Sequence, residues 1–342
     1  MDSIMKQEIM DTPELLKLTA ENARTVVRKI AGMIEDRGIR RIFLVARGSS
    51  ANAATYFKYL CEVLTGIPVV ELSPSVFTIY DASVDMTGGI VIAISQGGRG
   101  IDIRYPVKAA AVQDVPTVAV TNFADSPLAA MCDTILPLSV GAERSMAATK
   151  SFTAELLVLN MLACALAGAP GGAEYAPAAF ARGLEKEPEI VRYLDIYKDG
   201  GVIYVLGRGK LLALAREMCC KIQETCLLNA FPFSAADFMH GPFALVEPGS
   251  RAVLFHSKYA ATKSTLDMFD SLAGQNADIL LITDDPDFPG ESRKTICVES
   301  ASEEESVFAM TAVLQLFAAN LAQIRGTDPD TSRNLSKYTE TL

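Results

Sequence analysis

One stretch of sequence is written twice in this chain. Residues 41–54 read RIFLVARGSSANAA and residues 201–215 read GVIYVLGRGKLLALA. Each is an apolar, β-like run that ends in Arg-Gly and then opens a helix. The echo continues: VIAISQGG (91–98) is answered by AVLFHSK (252–258), TVAVTN (117–122) by ILLITDD (279–285), and residues 133–138 by 295–298. Each half closes on a long apolar helix, at 151–167 and 306–324. Self-similarity at this spacing means one supersecondary unit used twice. Apolar strands alternating with helices imply right-handed crossovers and parallel sheets covered on both faces. The expected fold is α/β, with two tandem flavodoxin-like three-layer αβα domains built on parallel five-stranded sheets. Their expected extents are 1–185 and 186–342.

Bulk properties narrow the function. Half of the 342 residues are hydrophobic, so each half can bury a core, and a charged fraction of 21% argues against long disorder. A net charge of −10 disfavours nucleic acid and anionic membranes as partners, because both require basic patches. A small anion stays possible, since backbone N–H groups at helix starts bind one whatever the net charge. The seven cysteines lack a Cys-x-x-Cys pair with matching histidines, so no metal and no cofactor is expected. Their scatter fits reduced, buried thiols and a cytoplasmic protein. The N-terminal MDSIMKQEIMDTPELL lacks the apolar stretch of a signal peptide. The apolar helix near 156–167 is expected to be core and too short to span a membrane.

Local signals place the elements. Thr12-Pro13-Glu14 reads as a helix start, with a helix to Glu35. Strands are expected at 41–46, 69–72, 90–95, 117–121 and 134–138. Helices are expected at 50–65, from Pro74 to Tyr80, and at 101–112, 149–167 and 177–194. The segment 221–242 starts on a helix and breaks at Phe231-Pro232.

In such sheets ligands bind outside the carboxyl ends of the strands, at the switch point. Gly48-Ser49-Ser50 and Ser95-Gln96-Gly97-Gly98 stand at two such ends in the first half. Each turns a strand into a helix start and offers N–H groups, hydroxyls and a helix dipole. A single Gly-Ser loop would suggest simple capping, but two at neighbouring strand ends favour a phosphate site. Arg99 either adds charge or pairs with Asp102. The spacing is neither that of a P-loop nor that of a dinucleotide fingerprint. In the second half Gly207-Arg208-Gly209-Lys210 lacks the serines, and His256 and Lys258 read as a solvated loop in a supporting copy. Glu224 and His240 could divide proton transfers between them. Burial would raise Glu224, and Lys221 would oppose that rise. Composition alone reads Glu224 as an exposed helix position, His240-Gly241-Pro242 as a turn, and the end of the chain as a polar tail.

Taken together, RGSS, AISQGG, AATKSFTAEL, KIQE with ADFMHGPFALVE, and the final NLSKYTETL carry a specific resemblance. The chain resembles proteins with two SIS (sugar isomerase) domains. It is similar to the isomerase half of glucosamine-6-phosphate synthases, and more so to stand-alone SIS-type glucosamine-6-phosphate deaminases. The resemblance implies a sugar phosphate as ligand. It makes Glu224 the carboxylate that shuttles a proton between C1 and C2. It makes His240 the ring-opening histidine, reaching a neighbouring subunit's site in a homodimer, and Lys337 the lysine that meets the open-chain carbonyl. Gly48, Ser49, Ser50, Ser95, Gln96, Gly97, Arg99 and Gly100 fall on the phosphate loops and Lys221 beside the carboxylate. Glu143, Ala147, Ala148 and Thr149 fall on the loop that lines the sugar. No glutaminase segment precedes the lead helix, so release of free ammonia is expected rather than synthesis from glutamine. The alternatives are a ketosamine-phosphate deglycase and a non-catalytic sugar-phosphate sensor. The chain departs from the family pattern at Gly97, Gly100 and Ala148. Gly97 and Gly100 remove two hydroxyl donors, each worth about 1.5–3 kcal/mol to a charged ligand. Arg99, Ser49 or backbone N–H groups would have to compensate.

Overall fold

The computed structural model describes residues 3–260, 262–289, 294–331 and 333–336. Each half carries a five-stranded, wholly parallel sheet, and the two sheets have the same order. The chain divides into two compact units. A first-sheet unit comprises Glu14–Glu143 and Lys150–Glu174 with Leu335 and Ser336. A second-sheet unit comprises residues 3–13, Arg144–Thr149 and the described residues of 175–334.

In the first-sheet unit, helix α1 (Ile4–Asp36) enters from its first turns in the other unit. It is followed by β1 (Ile42–Val45), α2 (Gly48–Thr65), β2 (Val69–Glu71), α3 (Pro74–Thr78), β3 (Ile90–Ile94), α4 (Ile101–Val112), β4 (Thr117–Thr121), β5 (Thr134–Pro137) and α5 (Lys150–Ala167). The order β2-β1-β3-β4-β5 is flavodoxin-like, and its switch point falls between β1 and β3. Both faces of these strands are covered, so β1, β3 and β4 are buried at every position. Phe43, Val45, Val91, Ala93 and Ala119 pack one face against Phe77, Ile103 and Val107.

The second-sheet unit holds α6 (Ala176–Leu184), α7 (Glu187–Tyr193), β6 (Val202–Gly207), α8 (Leu211–Lys221), β7 (Asn229–Ser234), α9 (Ala235–Met239), β8 (Arg251–His256), α10 (Thr262–Gly274), β9 (Asp278–Thr283), β10 (Thr295–Cys297) and α11 (Glu303–Arg325). Its order β10-β9-β8-β6-β7 is the first order read from the other edge. β7 is the counterpart of β2. Phe231-Pro232 lies within it rather than breaking the chain, because an edge strand tolerates a missing donor.

Three further expectations change. Helix α1 begins at Ile4, and Pro13 lies inside it. The start is set by a remote group: the Asp330 carboxylate accepts the N–H groups of Ile4 and Met5, both at 2.7 Å, while Ser3 Oγ accepts that of Lys6. The single helix expected over 177–194 is two helices, because Pro188, in the first turn of α7, has no N–H to donate back to the Leu184 carbonyl at the end of α6 and its ring crowds that carbonyl. Helices α5 and α11 are both long and apolar enough to cross a membrane by length and composition, contrary to the expectation for α5. In each, most of the apolar window is buried inside the protein, 83% and 89%.

Helix α6 crosses α11 at Gly183. A Cβ there would stand 2.1 Å from the Ala309 carbonyl oxygen and 2.7 Å from the Ala312 Cβ. Gly183→Ala is therefore expected to destabilise the second-sheet unit by about 1–3 kcal/mol through overpacking. Urea denaturation followed by circular dichroism would show a lower midpoint at unchanged m-value.

Candidate active site

In the first-sheet unit the turns after β1 and β3 are neighbours because those strands pair directly. Arg47, the residue before α2, is extended, and Gly48 follows with φ +53°. The Arg47 Nε lies 2.7 Å from an Asp102 carboxylate oxygen in the first turn of α4, so one ion pair joins the two helix starts. Asp102 is 2% exposed while Arg47 remains 55% exposed.

The turn after β3 is built by its own backbone. Gly98 donates to the Ser95 carbonyl and to Ser95 Oγ, and the Gln96 carbonyl accepts from Asn122 N–H. Gly98 has φ +60°, and a Cβ there would stand 2.2 Å from Ser126 Oγ. The N–H groups of Gly97 and Gly100 take no part in the turn's own hydrogen bonds among the described residues. Ser95 Oγ serves as an acceptor here, so its own hydrogen remains available to a ligand. Ser50 is committed differently: its hydroxyl donates to the buried Glu155 carboxylate at 2.7 Å.

Glu143 is also engaged. Its carboxylate accepts the Ser151 hydroxyl at 2.6 Å and the Ser151 N–H at 3.1 Å, and so caps the start of α5. The neighbouring loop Arg144–Thr149, with Ala147 and Ala148, belongs to the second-sheet unit. There the buried Glu8 carboxylate accepts the N–H groups of Arg144 and Ser145 and the Ser145 hydroxyl. Gln315 donates to the Thr149 carbonyl.

In the second-sheet unit α8 runs into a single π-turn, Ile222–Cys226, closed by Leu227 in the left-handed region. Such turns recur at functional sites. Glu224 lies on this turn with its side chain 26% exposed. Lys221 is fully buried, with Nζ 2.7 Å from Glu224 Oε2 and 3.4 Å from Glu217 Oε1. Burial pulls the Lys221 ammonium down, but Glu217 and then Glu224 outweigh it, and its pKa lies above the ordinary lysine value. The Cys220 thiol, pushed up to about 12 chiefly by burial, donates to Glu224 Oε1 at 3.4 Å. Gln223 ties the turn to β7 through the Ala230 carbonyl. His240 is exposed and follows α9, its N–H donating to the Asp237 carbonyl. Lys337 lies outside the described residues.

The carboxyl ends of the second sheet are closed by the protein's own carboxylates. Buried Asp284 accepts the Ser257 hydroxyl and the Lys258 N–H, each at 2.7 Å. Lys210 pairs with Glu303 and Glu304. Lys258 is exposed as expected, but His256 is not on a solvated loop. It ends β8 fully buried, with Nδ1 2.8 Å from Thr283 Oγ1 and its ring edge-on to Phe288. It was misread because a strand's last inward position and a loop's first residue look alike without the fold. Glu217 and Cys220 also escaped the sequence reading, although the i, i+4 spacing of Glu217 and Lys221 was a visible signal.

A cavity of about 780 Å³ opens at the amino ends of the first sheet, between α1 and the end of α5, at the opposite end of the strands from the turns after β1 and β3.

Against this geometry, the SIS domain model matches residues 37–165 and 196–325. The chain belongs to the SIS domain family, with two copies in tandem. Over 97% of its length it is 30% identical to the glutamine–fructose-6-phosphate aminotransferase (isomerizing) of Caulobacter vibrioides, of which it spans 58%. A candidate phosphosugar isomerase from Silicibacter pomeroyi DSS-3 superposes with a TM-score of 0.87 at 29% identity, covering 96% of this chain and all of that one. The glucosamine-6-phosphate deaminase of Thermotoga maritima superposes with a TM-score of 0.78 at 22% identity, covering 99% of this chain and all of that one.

Two measurements test these electrostatics. Lys221→Met leaves Glu217 buried without its cation, so a loss of about 3–5 kcal/mol is expected. The Lys221→Met/Glu217→Leu double variant should recover much of that loss in chemical denaturation. Burial lowers the His256 pKa, so the unfolded chain binds the proton more readily. Its contribution to stability is full above the ordinary histidine pKa and is lost as pH falls through the lower folded value. His256→Leu should flatten the pH dependence of the denaturation midpoint below about pH 6.5, the unperturbed histidine value.

Proposed function

We propose that this chain is a phosphosugar isomerase that deaminates a 2-amino-2-deoxy-hexose 6-phosphate, with glucosamine 6-phosphate as substrate. The observation that carries this reading is Glu224, a partly exposed carboxylate on a π-turn, held by buried Lys221 and Cys220. Such a carboxylate is oriented and hydrogen-bonded yet open to a ligand, as a proton shuttle must be. Family membership, the aminotransferase relative and the deaminase-like fold support the choice of substrate.

The phosphoryl end is received by the turn after β3, through the N–H groups of Gly97 and Gly100 and the Ser95 hydroxyl, with Gln96 and the α2 start at Gly48-Ser49 beside it. Ser50 joins only by leaving Glu155. Glu143, Ala147 and Ala148 line the sugar. His240 opens the ring, acting across the interface of a homodimer. Glu224 then takes the C2 proton, giving an enolamine, and returns it to C1. A second proton passes from the nitrogen to O1, leaving a C2 imine. Water adds to that imine and ammonia leaves, giving fructose 6-phosphate. Lys337 would hold the open-chain carbonyl. No metal is required, because the proton returns to the neighbouring carbon and N–H donors stabilise the developing charge.

The test is ammonia release from glucosamine 6-phosphate without glutamine, with fructose 6-phosphate followed in parallel. Equimolar release is expected. Glu224→Gln should lower kcat by about 10²–10⁴-fold, the usual share of a positioned acid–base group, while sugar-phosphate binding persists. Unchanged turnover in Glu224→Gln would remove Glu224 from the mechanism. Absence of release in a folded wild-type protein, with an amine freed from a ketosamine phosphate instead, would replace the deaminase by a deglycase.

A further inference from the structure

A cavity of about 620 Å³ opens beside the turn after β3. Gly97 and Arg99 form one wall, Arg104 from the second turn of α4 another, and Phe123, Asp125 and Ser126 after β4 a third. Gly97 belongs both to this cavity and to the anion-binding turn, so the two are continuous. Two arginines and one exposed carboxylate line it, so the lining is net cationic in a chain whose net charge is −10.

Arg104 is the unusual member. Its Nε is buried and has no hydrogen-bond partner among the described residues. A guanidinium is always charged and presents donors in a rigid fork that fits phosphate oxygens in pairs. A buried donor of a charged group without an acceptor is costly, and native proteins rarely keep one without a use. Ser126 adds a hydroxyl: its Oγ accepts the Ala129 N–H at 3.2 Å, which leaves its hydrogen available. At positions 97 and 100 the turn itself has glycines, which bring N–H groups but no side-chain donors.

We infer that this cavity is an oxyanion subsite, in which Arg104, assisted by Arg99, receives phosphoryl oxygens of the sugar-phosphate substrate and supplies the donors that the turn lacks. The inference deepens the reading of the turn as a phosphate site and rests on it. It makes Arg104 a specificity residue for the phosphorylated end of the substrate, remote from the carbon atoms that react.

The experiment is calorimetric binding of glucosamine 6-phosphate, glucosamine and inorganic phosphate to the full chain and to its Arg104→Gln and Arg104→Lys variants, alongside turnover. Arg104→Gln is expected to weaken glucosamine 6-phosphate binding at least tenfold and to reduce its salt dependence. The affinity for glucosamine should not change, and the loss in turnover should appear chiefly as a raised KM for glucosamine 6-phosphate. Arg104→Lys, which keeps the charge but loses the fork, should fall between. Denaturation midpoints near the wild-type value show that the variants fold; if Arg104→Gln does not fold, Arg104→Lys decides, weaker glucosamine 6-phosphate binding than wild type supporting the inference and equal affinity overturning it. Equal glucosamine 6-phosphate affinity in wild type and variants overturns the inference. So does loss of inorganic phosphate binding alone, which would assign the cavity to a separate free anion. Arg104-dependent sugar-phosphate binding without ammonia release would sink the deaminase reading and leave this subsite standing.

Discussion

A parallel sheet covered on both faces leaves no room for polar chemistry along its strands. Every position of β1, β3 and β4 is buried, and all are apolar except Thr117 and Thr121 at the two ends of β4, while the main chain is spent on the ladder. Polar function is therefore driven to the strand ends. At the carboxyl ends the chain must turn into a helix whose first N–H groups have no partner within it. The two sheets meet this demand in opposite ways. The first leaves the Gly97 and Gly100 donors outside the turn's own bonds, while the second closes its mouth with Asp284, Glu303 and Glu304. A carboxylate carried by the fold itself needs no ligand concentration to stay bound, so the second mouth works as a strut.

The polar group invested in the second-sheet unit lies instead at its edge. Glu217, Lys221 and Glu224 share a helix that ends in a π-turn. A buried ion pair is a poor device for stability alone, because desolvating both charges offsets most of their attraction. Here the pair holds one carboxylate oxygen of Glu224 while part of the group stays open to solvent. The π-turn, tied to β7 by Gln223, fixes where that carboxylate stands.

Several supports arrive from far along the chain. Asp330 starts α1, and Glu8 of that helix then fixes the loop at 144–145. Neither partnership carries a local signal, since each joins residues more than a hundred positions apart. The same holds for Ser50 and Glu155. A serine at a helix start reads as an anion donor, and only the packed helix layer shows that its hydroxyl is spent on a carboxylate. Pro13 misled for a related reason. Proline is at home in a first helical turn, and nothing nearby announces that the helix already began at Ile4.

The sequence by itself determined the duplicated α/β architecture, the placing of most strands, and the turns after β1 and β3 as the mouth of the first sheet. These follow from short-range physics: an apolar run with two buried faces, a glycine at a left-handed turn, a helix opening behind it. Tertiary structure alone decided that β7 would accept a proline as an edge strand, that His256 would be buried against Phe288, that Lys221 would be fully desolvated, and that Arg104 would line a cavity beside Gly97. Those outcomes depend on which surfaces meet, and burial is a property of the packed assembly of elements rather than of any one segment.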